Sequence, residues 1–149
     1  EPNVVSWMAV KGSDDFRRLV DYDLTWRDDA RRFEFITIPF QDFAAMNASL
    51  EMFFELGPAN AARHVAALAD EIVKLNQGRS GVEIVTPLDS AHRAGIVSLR
   101  PRDGRKTSEA LKAAGIVHSL REGAVRLSPH VYNTSDEIRK ALDVFWGVA

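Results

Sequence analysis

Between Pro58 and Asn76 the chain reads PANAARHVAALADEIVKLN, and Val65, Leu68, Ala69, Ile72 and Val73 recur at the steps of an α-helix. The helix is expected to start at about Pro58 or Asn60, and Gln77-Gly78 closes it. A helix with one apolar stripe must bury that stripe against a second layer. The following residues supply one. VEIVTP (82–87), AGIVSLR (94–100), IVHSL (116–120) and AVRL (124–127) are short strand runs bounded by turn residues. A short helix, capped at Thr107 or Ser108 and stopped by Gly115, separates them. A last helix opens at Thr134, with Glu137 completing a capping box and Ile138, Ala141, Leu142 and Phe145 on one side. Residues 58–149 therefore predict an α+β fold in which helices cover one face of a short sheet.

Residues 1–57 have a different texture. VVSWMAV (4–10) reads as a short strand, Asp14–Val20 as a helix, and DYDLTWRDDARRFE as an irregular crossing. From Asp42 the signal sharpens: Phe43, Met46, Leu50, Phe53 and Phe54 keep helical spacing until Gly57-Pro58. A helix this apolar calls for substantial cover.

Composition removes several function classes. With 149 residues, 46% hydrophobic and 27% charged, the chain is expected to fold without disulfides or metal. It has no cysteine, which excludes disulfides, thiolate metal sites and a cysteine nucleophile within these residues. The net charge is −2, with 14 arginines and 5 lysines. Arg17, Arg18, Arg31 and Arg32 are interleaved with Asp14, Asp15, Asp21, Asp28 and Asp29, so no basic stripe forms and nucleic acid is not expected as a partner. No apolar run is long enough for a membrane helix, and EPNVVSW lacks a signal region; a cytoplasmic protein, present here as a fragment, is expected. The four histidines form no metal-spaced cluster, Ser128 lacks a G-x-S-x-G setting, and no glycine-rich phosphate loop occurs.

The polar residues near the end offer more. In VRLSPHVYNT (125–134), strand alternation puts Val125 and Leu127 on one face and Arg126 on the other. A strand-held guanidinium is a planar pair of donors that matches a carboxylate; the alternative is a structural salt bridge. Arg121 before the turn is a second anion-facing candidate or a solvated charge. His130 could line a site or be a hydrogen-bonded structural histidine, and Asn133 could line it or shape the turn into the last helix. His118 within a strand run reads as packed or surface. Thr37, shortly before the helix from Asp42, could place a hydroxyl near a phosphate or terminate a turn.

Together these stretches resemble the carboxyl-terminal part of the class V aminotransferases, pyridoxal phosphate enzymes of the aspartate-aminotransferase-like fold. The resemblance rests on ARRFEFITIPF with AAMNASLEMFFELG, on GIVSLR, and on REGAVRLSPHVYNTSDEIRKAL, in the family's order. It implies that residues 1–57 end a large cofactor-binding domain and that 58–149 form the small domain. It implies that Arg126 grips the α-carboxylate of an amino-acid substrate, and that Thr37 reaches the cofactor phosphate across a homodimer interface. The family usually has glycine where this chain has Ile36. It further implies that the lysine carrying pyridoxal 5'-phosphate lies before these residues. Lys11, Lys74, Lys106, Lys112 and Lys140 stand in other contexts, so this chain alone is expected to be inactive and to hold no covalent cofactor. Aminotransferase, epimerase-like and lyase activities fit. Desulfurases of the family carry a loop cysteine before the arginine motif, which Leu120-Arg121-Glu122-Gly123 lacks, so that activity is expected to be absent. The alternative is a non-catalytic relative, or a stand-alone domain that binds carboxylates or a protein.

Overall fold

The computed structural model describes residues 2–18, 20–21 and 23–149. They fall into two compact units, Glu1–Leu50 and Glu51–Ala149. Helix α1 (Phe40–Leu56) runs through the division. The second unit continues with α2 (Pro58–Asn76), β1 (Val82–Ile84), β2 (Val97–Pro101), α3 (Gly104–Ala113), β3 (Ser119–Arg121), β4 (Ala124–Leu127) and α4 (Ser135–Trp146).

In the first unit the expected strand over 4–10 does not form. Residues Trp7–Ala9 make a 3-10 turn, and only Val10 bridges to Trp26. The run VVSWMAV has strand composition, but a strand needs a partner ladder and only one bridge is available. The Arg27 side chain organises this corner, donating to the Met8 carbonyl at 2.9 Å and the Ser13 hydroxyl at 2.7 Å. It also pairs with Asp14 at 2.8 Å. Of the expected helix over 14–20, in which Leu19 lies outside the described residues, Phe16–Arg18 forms a 3-10 turn, where the Asp15 carboxylate takes up the Arg17 backbone N–H. Such local side-chain bonds compete with helix formation. α1 starts at Phe40 rather than Asp42 and ends at Leu56. Phe43, Met46 and Leu50 are all at least two-fifths exposed.

The second unit is an α+β fold: a four-stranded antiparallel sheet in the order β1-β2-β4-β3. α2, α3 and α4 bring Leu68, Ile72, Leu111, Ile138, Leu142 and Phe145 onto Val97, Leu99, Val125 and Leu127 of the two central strands. Burial alternates along β2, with Val97, Leu99 and Pro101 inside, as expected of a sheet covered on one face. Gly95 lets α2 approach closely, because a Cβ there would collide with the Val65 side chain. The β3–β4 hairpin turns on two residues, Glu122 (φ 49°) and Gly123 (φ 80°), both left-handed as a type I′ turn requires.

Two caps deserve comparison. α4 has the expected capping box: the Thr134 hydroxyl accepts from the Glu137 N–H, and the Glu137 carboxylate accepts from the Thr134 N–H at 3.0 Å. α3 does not start at Thr107 or Ser108. Asp103 caps it by accepting from the Lys106 N–H at 3.0 Å, and Thr107 and Ser108 are buried within the helix. At the far end, buried Asn76 donates to the Ile72 carbonyl at 2.8 Å and accepts from the Trp146 indole N–H at 2.9 Å. The Arg79 guanidinium lies 3.6 Å from the centre of a Trp146 ring. That polar pair joins the ends of α2 and α4.

Candidate functional site

A cleft of about 680 Å³ opens in the second unit beside the β3–β4 hairpin. The segment Ala114–Ser119, the segment Arg126–Pro129 with Tyr132 and Asn133, and the first turns of α4 line it. Strand register explains its polar wall. Arg126 stands opposite Ser98 on β2 and Ser119 on β3, so these three share the face that alternation keeps apart from Val125 and Leu127.

Arg126 is partly buried, and its Nε is shielded from solvent without a hydrogen-bond partner. Among the described residues it makes no ion pair, whereas Arg93 engages Asp70 and Arg27 engages Asp14. An unmatched buried donor is costly unless something supplies an acceptor, and a cleft ligand would. The side chain therefore fits an anion, and a carboxylate matches its fork.

Asn133 joins the cleft wall and is held from three sides. Its Oδ1 accepts from the His130 N–H at 2.9 Å, its Nδ2 donates to Glu137 at 3.2 Å, and its carbonyl takes a 2.9 Å bond from His64 Nε2. The Thr134 N–H, then the Asn133 amide, hold the Glu137 carboxyl below its usual range. A charged Glu137 at the first turn of α4 also suits the helix dipole. His118 lies between cleft and core, with Nδ1 2.9 Å from the Ile116 carbonyl and Nε2 2.7 Å from the Ser108 hydroxyl. A carbonyl only accepts, so Nδ1 carries the proton and Nε2 accepts from Ser108.

Of the residues expected to serve a site, Arg126 and Asn133 come together in this cleft. His130 is exposed beside it, its ring 5.3 Å from that of Tyr132. Arg121 is exposed at the end of the hairpin, opposite Ala124, and does not line the cleft. Thr37 is exposed in a segment without regular structure in the first unit, just ahead of α1. Sequence reasoning passed over Ser119, Tyr132 and Lys140 as cleft residues. Ser119 was within reach of inference: a two-residue turn at Glu122-Gly123 registers it with Arg126.

Comparison with known proteins follows the same geometry. The kynureninase C-terminal domain family matches residues 60–145. The uncharacterized aminotransferase YcbU of Bacillus subtilis (strain 168) is 29% identical over 133 residues, 89% of this chain and 35% of the relative. Kynureninase of Bacillus cereus (strain ATCC 10987 / NRS 248) is 25% identical over 148 residues, 96% of this chain and 34% of the relative. The chain thus spans about a third of the length of the curated relatives it matches. Among solved structures, a lysine mutant of C-DES with glycine covalently linked to its PLP cofactor superposes with a TM-score of 0.80. It is 18% identical, over 100% of this chain and 38% of that one. A NifS-like protein superposes with a TM-score of 0.63 at 22% identity, over 80% of this chain and 36% of that one.

These neighbours correct one expectation. The exclusion of desulfurase chemistry does not stand, because this fold is shared with a NifS-like protein and with C-DES, a cystine C-S lyase seen with cysteine persulfide. The missing loop cysteine limits what these residues themselves contribute. It does not remove sulfur-containing amino acids from the reach of the fold. Matched over more than half its length, the chain belongs to the kynureninase C-terminal domain family, within the class V aminotransferase-like, fold-type I pyridoxal phosphate enzymes.

Proposed function

We propose that this chain is the carboxylate-holding portion of a pyridoxal-phosphate-dependent enzyme acting on an amino acid, sulfur-containing ones included. The observation that carries the reading is Arg126: a strand-mounted guanidinium in a cleft wall that, among the described residues, makes no ion pair and leaves its buried Nε without a hydrogen-bond partner. Its two-point grip on an α-carboxylate would fix the orientation of Cα without taking part in bond making. Asn133, immobilised by His64, His130 and Glu137, would limit the space around that carboxylate. When bound, pyridoxal phosphate supplies the electron sink for chemistry at Cα. The residues here would orient the substrate and exclude water from it.

In the same reading, residues 1–57 close a larger cofactor-binding domain and 58–149 are the small domain. Thr37 would offer its exposed hydroxyl to the cofactor phosphate of a second copy in a homodimer, and Arg121 a peripheral positive charge. Val117 and Tyr132, exposed at 95% and 77% on the cleft wall, support a site completed by further polypeptide. The test is Arg126→Lys in the full-length, cofactor-loaded protein, followed by spectral titration with an amino acid. Losing the planar fork is expected to weaken amino-acid binding roughly tenfold to a hundredfold, with cofactor affinity unchanged. Equal losses of both would overturn the carboxylate assignment.

A further inference from the structure

His118 has no part in the function proposed above, yet it lines the same cleft, with its partner Ser108 buried behind it in α3. Both ring nitrogens are committed, Nδ1 to the Ile116 carbonyl at 2.9 Å and Nε2 to the Ser108 hydroxyl at 2.7 Å. This ring therefore cannot hand a proton directly to a ligand or attack one. What it can do is carry charge. A second proton at Nε2 requires the Ser108 hydroxyl to turn from donor to acceptor, and a helical serine can then donate to the carbonyl one turn back. Ser108 is buried within α3, so no bulk water intervenes in that exchange. The charged ring leaves no orphaned group.

We propose that anion binding in the cleft is linked to proton uptake by His118. The inference rests on the reading of the cleft as a carboxylate site. In the empty cleft an imidazolium at His118 would share a wall with the cations Arg126 and Lys140 and with the carboxylate of Glu137. A carboxylate seated on Arg126 cancels the repulsion from that guanidinium and adds an attraction, so occupancy favours the charged ring. Linkage is reciprocal: the factor by which an anion strengthens proton binding is the factor by which a proton strengthens anion binding. Affinity then falls as pH rises through the histidine range. Glu137 does not produce this dependence, because Thr134 and Asn133 hold its carboxyl low and it stays charged there. Lysine and arginine also keep their charge across that window. The charged groups of α3 and its cap are Asp103, Arg105, Lys106, Glu109 and Lys112. The other histidines near this wall are His64 on α2, bonded to the Asn133 carbonyl, and His130 beside Tyr132.

The experiment is an NMR titration of the full chain with sodium acetate at constant ionic strength between about pH 5.5 and 8, the range in which histidines ordinarily titrate. The ring resonances of each histidine are followed. Acetate affinity is expected to fall about threefold to tenfold across that range, with the His118 midpoint moving up by the matching amount under saturating acetate. His118→Gln should flatten the pH dependence and keep the high-pH affinity. Ser108→Ala, which leaves the imidazole in place, should displace the His118 midpoint. Acetate binding that is lost in Arg126→Gln but leaves the His118 titration unmoved overturns this inference and spares the proposed function. So does a pH dependence that follows His64 or His130. Acetate that fails to bind, or binds equally well to Arg126→Gln, overturns both. The wild-type titration decides even where a variant fails to fold.

Discussion

At the scale of single residues, Asp15, Asp23, Asp29 and Glu137 are all lowered by donors beside them. Asp29 is drawn down to about 2, first by the Arg31 side chain and then by the Arg31 backbone N–H. Glu137 is lowered by the Thr134 N–H and then by Asn133. For such a group the folded state binds its proton more weakly than the unfolded one. Its contribution is complete above the ordinary carboxylate value and is lost as pH falls through the lowered one. Glu137→Gln is therefore expected to reduce the loss of α4 helicity as pH falls below the ordinary carboxylate range, read by circular dichroism. A wild-type and variant pair with identical acid profiles would dissociate the capping box from that transition. Thr134→Ala removes the reciprocal hydroxyl and should cost about 1 kcal/mol in urea unfolding at neutral pH. Arg126 belongs to this scale too, and there the alternation of AVRL was informative. It showed that the guanidinium leaves the core face, although it could not show that no acidic side chain among the described residues pairs with it.

Elements were legible where one residue pattern had one solution. α2 and α4 follow their stripes and their end residues, with Leu68, Ile72, Leu142 and Phe145 all buried. Leu142→Ala should destabilise the second unit by about 2–5 kcal/mol, measured by denaturant midpoint, since a fully buried methyl pair is lost and a cavity remains. The hairpin depends on Gly123, whose φ of 80° disfavours any side chain although nothing crowds a Cβ there. Gly123→Ala should thus cost roughly 1 kcal/mol through backbone strain alone. A neutral outcome would mean that the turn relaxes to another type. α3 was placed three residues late because Thr107 and Ser108 are common cap residues. Asp103 reaches the Lys106 N–H first, and that choice leaves the two hydroxyls inside. The segment 4–10 has strand composition without forming a strand, because composition reports β-preference and says nothing about a pairing partner.

For the whole molecule, the second unit holds a core made of its own three helices and two central strands. A chain of residues 51–149 is accordingly expected to melt in one cooperative transition, seen alike by far-ultraviolet circular dichroism and by tryptophan fluorescence from Trp146. Non-coincident curves would show that this core depends on residues before 51. Among the described residues no helix is long and apolar enough to cross a membrane, and no cluster of histidine and acidic side chains can hold a metal. By itself the sequence determined the helix stripes, the capping box, a tight turn within Arg121-Glu122-Gly123 and the departure of Arg126 from the core face. Each follows from spacing along the chain and from local bonding. Only the tertiary structure decided that Ser119, His118 and the start of α4 meet Arg126 in one cleft, and that its Nε is buried there without an acceptor. Those facts depend on strand order and on which distant side chains arrive, and neither is encoded in the separation of residues along the chain.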